Sequence, residues 1–167
     1  MGKRMVCGLL ILTCLLGGLP ILAYGAELDV SAPSAVLMDG ATGTVLYQKN
    51  EHERMRPASV TKIMTLLLVM EALDAGKIGW DDSITTSTEA AAKGGSQVYL
   101  KEGEQMSLKD MLKSVVVSSA NDCATALAEH VAGSEGAFVD RMNQRARELG
   151  MADTHFVNCT GLDDGEG

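Results

Sequence analysis

Ser59 and Lys62 have the residue types and the spacing for nucleophilic chemistry. They lie three residues apart at the beginning of a predicted helix, so their side chains are expected to lie side by side on one face. A lysine in the first turn faces the positive end of the helix dipole, and the helix is apolar on nearly all sides. Both effects disfavour the ammonium form and lower the lysine pKa. A neutral amine beside a hydroxyl is a general base beside a nucleophile.

The same spacing also has an ordinary explanation. Ser59 could cap the helix while Lys62 is a solvated surface charge. A Ser-x-x-Lys match is expected by chance about once in a chain of this length. The apolar helix that follows the pair favours the chemical interpretation.

A second polar cluster, Ser119-Ala120-Asn121, lies between two predicted helices. If the backbone is locally extended there, the side chains of Ser119 and Asn121 point in the same direction. The hydroxyl can relay a proton, and the carboxamide can both donate to and accept from a peptide bond. Helix capping is the alternative, because Ser and Asn are both favoured N-caps.

The elements that must position these residues follow from hydrophobic patterning and turn residues. Residues 34–39 and 44–48 read as the two strands of a hairpin. Further elements are a short strand at 83–86, a short helix at 89–93 and helices at 108–117, 122–132 and 135–149. A hairpin followed mostly by helices predicts the α+β or α/β class.

The helix that carries Lys62 is predicted from Ser59 to Ala75 and is ended by Gly76. Apolar residues cover nearly its whole circumference: one face carries Ile63, Leu66, Leu67, Met70 and Leu73, and Met64, Leu68 and Val69 cover much of the rest. This pattern is typical of a buried core helix.

Composition excludes several function classes. The 167 residues include 14 Lys and Arg against 22 Asp and Glu, for a net charge of −8. An acidic chain with 4% aromatic residues has little attraction for phosphate backbones and few stacking platforms, so nucleic acid is not an expected partner. His52, His130 and His155 lack metal-ligand spacing, so no metal is expected either.

The first 25 residues have the pattern of a secretory signal peptide. Lys3 and Arg4 precede an uncharged apolar run over 5–22, which small residues follow. Cleavage after Gly25 or Ala26 would leave a mature domain outside the cytoplasm. A retained membrane anchor is the alternative, since the run approaches the ~18–20 residues that span a bilayer. Glycines and a proline within the run favour the signal peptide.

Two cysteines, Cys123 and Cys159, remain in the predicted mature part. Outside the cytoplasm they could pair as a disulfide. Unpaired buried thiols are the alternative that we favour.

The two polar motifs together resemble those of a known superfamily. Ser59-Val60-Thr61-Lys62 followed by Ser119-Ala120-Asn121 resembles the first two of three motifs of the penicillin-recognising serine enzymes. Further stretches narrow the resemblance to low-molecular-mass penicillin-binding proteins that act as D-alanyl-D-alanine carboxypeptidases. They are Val36-Leu37-Met38-Asp39 with Gly43-x-Val45-Leu46-Tyr47, Pro57-Ala58-Ser59, Gly95-Ser96-Gln97-Val98-Tyr99-Leu100, and Thr154-His155-Phe156-Val157-Asn158 with Thr160-Gly161-Leu162. The family usually has Gly where Ala120 stands and Pro where Cys159 stands.

The resemblance implies an exported serine carboxypeptidase whose fold is a sheet flanked by helices with a mostly helical subdomain. Its substrates would be peptidoglycan stem peptides ending in D-Ala-D-Ala, with β-lactam antibiotics as inhibitors and no cofactor. Ser59 would attack the penultimate D-Ala carbonyl, and Lys62 would accept the Ser59 proton. Ser119 would relay the proton to the leaving amine, and Asn121 would hold the substrate amide.

The third motif of the family, Lys-Thr-Gly, does not occur in these 167 residues. In the family it lies on a strand that lines the cleft and supplies one of two oxyanion N–H donors, the other being the N–H of Ser59. Residues 26–167 are therefore expected to be the N-terminal part of a catalytic domain. A C-terminal segment beyond them could associate with the membrane.

Three alternatives compete with this interpretation. A β-lactamase of class A needs a water-activating carboxylate beyond the second motif, which we cannot place. A non-catalytic cell-wall-binding relative is disfavoured by the intact Ser-x-x-Lys and Ser-x-Asn residues. Residues 132–136 resemble a nucleophile elbow around Ser134, but a helix precedes them where that motif needs a strand. Ser134 is therefore expected to be an N-cap.

Overall fold

The computed structural model describes Leu28 and residues 30–163. The predicted signal peptide lies outside the described residues. The chain divides into two compact units, the first ending at Glu53 and the second beginning at Arg54. Within the described ranges, no helix has both the length and the apolar character needed to cross a membrane.

The first unit contains the predicted β-hairpin. Strands β1 (Ala35–Met38) and β2 (Val45–Lys49) pair antiparallel, and their register shifts between Leu37 and Met38. The carboxylate of Asp39 orders the connecting turn, since it accepts hydrogen bonds from the backbone N–H and the hydroxyl of Thr42, both at 2.7 Å. The hairpin is therefore confirmed, with its strand boundaries displaced by about one residue.

The second unit is mostly helical and contains one small sheet. Its elements are a 3-10 turn (Ala58–Thr61), α1 (Lys62–Asp74), β3 (Ser83–Thr85), α2 (Thr88–Ala91), β4 (Gln105–Ser107), α3 (Leu108–Ser118), α4 (Asn121–Ala132) and α5 (Glu135–Glu148). Strands β3 and β4 pair antiparallel, with Ile84 opposite Met106. This mixture of strands and helices confirms the predicted fold class.

Helix α4 is the centre of the core of the second unit. Its residues from Asn121 to Ala128 are all buried, and α1, α2, α3 and α5 pack around it. Several of its buried residues are alanines, which lets the surrounding helices approach closely. The largest fully buried side chains of this core are Phe138, Leu108, Met111, Leu127 and Met142, of which Leu127 lies on α4 itself. Because α4 begins at Asn121, the best-packed part of the unit fixes the second polar cluster.

Among the described residues, one side of helix α1 is buried and the other is exposed, so burial of its whole circumference is not seen in this part of the chain. Met64, Leu68 and Val69 face the core, whereas Ile63 is 68% exposed and Met70 is 39% exposed. Among the described elements, α4 and α5 pack against α1. The predicted beginning at Ser59 is also displaced, because residues 58–61 form a 3-10 turn before the α-helix begins.

Cys123 and Cys159 are free thiols, and both are fully buried. Burial raises the pKa of Cys123 to about 12 and also raises the pKa of Cys159.

Because the thiolate is the reactive form, iodoacetamide at pH 8 is expected to modify neither cysteine in the native protein and both in urea. Mass spectrometry measures the adducts. A chain that stays unmodified in urea until a reductant is added would show a disulfide instead.

Candidate active site

Ser59 and Lys62 lie on either side of the junction between the 3-10 turn and α1. A 3-10 turn has three residues per turn, so side chains three positions apart lie directly above one another. Lys62 Nζ donates a hydrogen bond to Ser59 Oγ over 3.0 Å. Ser59 is not an N-cap, because Pro57 occupies that position and no side chain caps the turn.

Lys62 is a buried amine, and its Nζ contacts two hydroxyl oxygens and one carbonyl oxygen, all of them neutral. The residue is 4% exposed, so it is not the solvated charge of the alternative interpretation. Its Nζ lies within hydrogen-bond distance of Ser59 Oγ at 3.0 Å, of Ser119 Oγ at 3.3 Å and of the Thr160 carbonyl oxygen at 3.0 Å. Burial lowers the pKa of Lys62, since removal from water disfavours the ammonium form. The site therefore favours the neutral amine that can accept a proton.

Ser119 reaches Lys62 because it ends α3 in a left-handed conformation. Its φ is 55° and its ψ is 33°, and its backbone N–H bonds to the Ser114 carbonyl. The expected extended segment is confined to Ala120, which is fully buried. A non-glycine residue in the left-handed region costs about 1–3 kcal/mol, and such strain is common at functional sites.

Asn121 has a fixed amide with one acceptor left over. Its Nδ2 donates to the Gly94 carbonyl at 2.8 Å, and its backbone N–H donates to the Ser96 carbonyl at 2.7 Å. Its Oδ1 is buried and has no hydrogen-bond partner among the described residues. Leaving such a group unsatisfied costs about 1–3 kcal/mol. A bound N–H donor would therefore be stabilised at Oδ1.

Ser59 and Asn121 line an open cleft of about 360 Å³. Its lining is Arg56, Ala58, Ser59, Gly95, Ser96, Asn121, Thr160, Gly161, Leu162 and Asp163. Ser59 is exposed in this cleft, whereas Lys62 is buried behind it. An ion pair of 2.5 Å between Arg56 and Asp163 lies at its edge. The nucleophile is therefore accessible to a ligand while the amine is shielded from water.

Several contributors to the site were not found from the sequence. Asp122 is fully buried and accepts from the backbone N–H of Val98 and Leu100, which fixes the loop beside the cleft. The Thr160 carbonyl that holds Lys62 is a backbone group and has no side-chain signature. Among the described residues, no group of three or more His, Cys, Asp or Glu is arranged to hold a metal ion.

Comparison with known proteins identifies similar chains. Residues 23–167 match the family model described as D-alanyl-D-alanine carboxypeptidase. The D-alanyl-D-alanine carboxypeptidase DacF of Bacillus subtilis is 54% identical over 137 residues, which cover 82% of this chain and 35% of DacF.

Solved structures agree in fold. The crystal structure of the D-alanyl-D-alanine carboxypeptidase DacD from Francisella tularensis matches with a TM-score of 0.84 at 41% identity, over 92% of this chain and 37% of that one. Penicillin binding protein 6B from Escherichia coli matches with a TM-score of 0.79 at 40% identity, over 86% of this chain and 48% of that one. The chain thus spans about a third of the length of the curated relatives it matches.

Proposed function

This chain belongs to the D-alanyl-D-alanine carboxypeptidase family, and on that premise we propose that the protein removes the terminal D-Ala from peptidoglycan stem peptides. The reaction proceeds through an acyl-enzyme on Ser59. Three short contacts around Lys62 Nζ support the assignment, because they link the buried amine to the exposed Ser59 hydroxyl and to the Ser119 hydroxyl. A β-lactam antibiotic acylates the same serine.

The proposed chemistry follows from the protonation state of Lys62. The neutral amine accepts the Ser59 proton while Ser59 Oγ attacks the penultimate D-Ala carbonyl. The resulting ammonium returns a proton through Ser119 to the amine of the leaving D-Ala as the peptide bond breaks. Water then hydrolyses the ester on Ser59 and regenerates the hydroxyl. Burial supports this cycle because it lowers the pKa of Lys62 and so favours the neutral amine over the ammonium form.

Asn121 and the 3-10 turn are proposed to hold the substrate. Asn121 Nδ2 is already bonded to Gly94, so the unsatisfied Oδ1 is proposed to accept from a substrate amide N–H once a small shift of the side chain uncovers this buried atom. The backbone N–H of Ser59 lies in the first turn, where N–H groups lack partners within the helix. It is proposed as one donor to the oxyanion that develops on the attacked carbonyl.

The proposed location is outside the cytoplasm. Residues 1–25 act as a signal peptide, and residues 26–167 form part of the catalytic domain. Peptidoglycan lies outside the cytoplasmic membrane, so export of the enzyme is consistent with its proposed substrate. Membrane association through a C-terminal segment is proposed on the resemblance alone.

The direct test is release of D-Ala from a stem-peptide analogue. The full reading frame that contains these residues is expected to release D-Ala from a peptide ending in D-Ala-D-Ala and to leave a matched D-Ala-L-Ala peptide intact. Chiral chromatography measures the product. Absence of release from a folded enzyme, or equal cleavage of both peptides, would refute the assignment.

Gly161 gives a prediction about the geometry of the site. Its φ is +73°, and a Cβ there would lie 1.9 Å from the Ala58 carbonyl oxygen. Since that oxygen belongs to the backbone beside Ser59, Gly161→Ala must displace the turn. A misplacement of about 1 Å can cost 10²-fold in rate, so acylation by a fluorescent penicillin is expected to fall by about that factor.

Gly150 provides the matched control for this substitution. Its φ is +74°, but nothing lies within 4 Å of a Cβ at that position. Gly150→Ala therefore introduces similar backbone strain without the clash, and it is expected to lower the melting temperature while the acylation rate is unchanged. Equal rates for the two variants would mean that the approach of Gly161 to the turn is unimportant.

A further inference from the structure

Lys93 and Glu135 form a largely buried ion pair next to the candidate active site. Lys93 Nζ lies 2.5 Å from Glu135 Oε2, and Glu135 is 8% exposed. Burial alone would raise the pKa of Glu135, but hydrogen bonds from Lys93 and Cys159 outweigh it and lower the pKa. Glu135 is therefore a carboxylate at neutral pH, with one oxygen on Lys93 and the other available for a second contact.

The second oxygen of Glu135 holds the segment that contacts Lys62. Glu135 Oε1 accepts from the backbone N–H and from the thiol of Cys159, both at 3.1 Å. The Cys159 carbonyl accepts from Thr65 Oγ1 at 2.6 Å, and the Thr160 carbonyl accepts from Lys62 Nζ at 3.0 Å. The backbone of Cys159 and Thr160 is thus held between Glu135 on one side and α1 on the other.

The Lys93 end of the ion pair belongs to the segment that holds Asn121. The Lys93 carbonyl accepts from Gln97 Nε2, and the next carbonyl, that of Gly94, accepts from Asn121 Nδ2 at 2.8 Å. The ion pair therefore connects the segment that orients Asn121 with the segment that orients Lys62.

We propose that Lys93 and Glu135 are positioning residues, which hold the Thr160 carbonyl against Lys62 Nζ and so align the amine with Ser59. The inference rests on the proposed function of Ser59 and Lys62. The hydrogen bond from the backbone of residue 159 to Glu135 depends on the residue type at that position, because a proline there would have no N–H to donate. The orientation of the Lys62 side chain is thus set by two residues, Lys93 and Glu135, which do not line the cleft that Ser59 lines.

The test measures acylation by a chromogenic penicillin in single-turnover experiments on the full reading frame. Glu135→Gln retains the volume and an acceptor for the Cys159 N–H but removes the charge that faces Lys93. The rate constant for acylation, per active site titrated by intact mass, is expected to fall roughly ten- to hundredfold. The dissociation constant of the non-covalent complex is expected to stay within about twofold of wild type, because Glu135 does not line the cleft.

Glu89→Gln is the matched control. Glu89 also pairs with Lys93, at 3.4 Å, but it is Glu135 that accepts hydrogen bonds from Cys159. The Glu89→Gln substitution is therefore expected to leave the rate constant unchanged. Lys93→Arg keeps the charge and is expected to retain most of the rate. If Glu135→Gln leaves an unpaired buried lysine that prevents folding, the double variant Lys93→Met with Glu135→Gln removes that charge and is expected to show the same loss.

The outcomes separate a positioning role from a structural one. A lower melting temperature and a lower titre of active sites, with an unchanged rate constant per site in Glu135→Gln or in the double variant, would overturn the inference. A folded wild-type enzyme that is not acylated at all would instead overturn the proposed function on which the inference rests.

Discussion

Replacing Ser59 by alanine is expected to reduce D-Ala release by at least roughly 10⁴-fold, the scale of losing a catalytic nucleophile. Within the part of the chain that the structure describes, two hydroxyls lie within hydrogen-bond distance of the buried Lys62 amine, those of Ser59 and Ser119. Ser59 is the exposed one and lines the cleft, whereas Ser119 is half-buried. Ser59 is therefore the hydroxyl that a substrate carbonyl can approach. D-Ala release from a stem-peptide analogue measures the loss.

Ser134→Ala is the control for this prediction. Ser134 caps α5 by accepting from the Ala137 N–H at 3.1 Å, so its loss is expected to cost about 0.5–2 kcal/mol of stability and to leave turnover unchanged. Turnover that survives in Ser59→Ala would show that another group performs the nucleophilic step.

Lys62→Arg is expected to lower the acylation rate by roughly 10²-fold or more, the scale of losing a general base. Arginine keeps the charge and much of the length, but its guanidinium does not lose a proton at working pH. The exposed Lys113, which pairs with Asp110 at 2.9 Å, gives the matched control: Lys113→Arg is expected to acylate normally. A near-normal rate in Lys62→Arg would remove Lys62 from the proton transfer.

The pH dependence of acylation provides a second measure of the same residue. Burial lowers the pKa of Lys62, so the neutral base becomes populated at a lower pH than for a solvated lysine. The wild-type rate is therefore expected to rise with pH through this lowered pKa and then to level off. This rising limb is expected to be absent in Lys62→Arg. A limb that is unchanged in the variant would belong to a different group.

Elements with strong local signals were predicted well from the sequence. Helices α3 and α5 lie within about one residue of their predicted bounds, because each begins after a serine that caps it, Ser107 and Ser134. Strand β4 was missed because Gln105–Ser107 contains no β-branched or aromatic residue, whereas β3, of the same length, contains Ile84 and Thr85. The buried face of α1 was not predictable, because a helix that is apolar all round carries no local sign of which side its neighbours occupy.

One part of the candidate site was predictable from local spacing, and another part depends on contacts between distant residues. The proximity of Ser59 and Lys62 follows from a spacing of three residues. The contact of Lys62 with the Thr160 carbonyl joins residues 98 positions apart, and the pairing of Lys93 with Glu135 joins residues 42 positions apart. Contacts of this kind arise from the packing of the helices, and no spacing within one segment indicates them.

The most direct test of the central claim is the location of a penicilloyl adduct in the full reading frame. Trypsin separates the two hydroxyls that contact Lys62, because Ser59 falls in the peptide 55–62 and Ser119 in the peptide 114–141. After brief labelling with penicillin, intact mass is expected to show one adduct per chain, and peptide mapping is expected to place it on 55–62. An adduct on 114–141, or a folded protein that takes up no penicillin, would contradict the assignment of Ser59 as the acylated nucleophile.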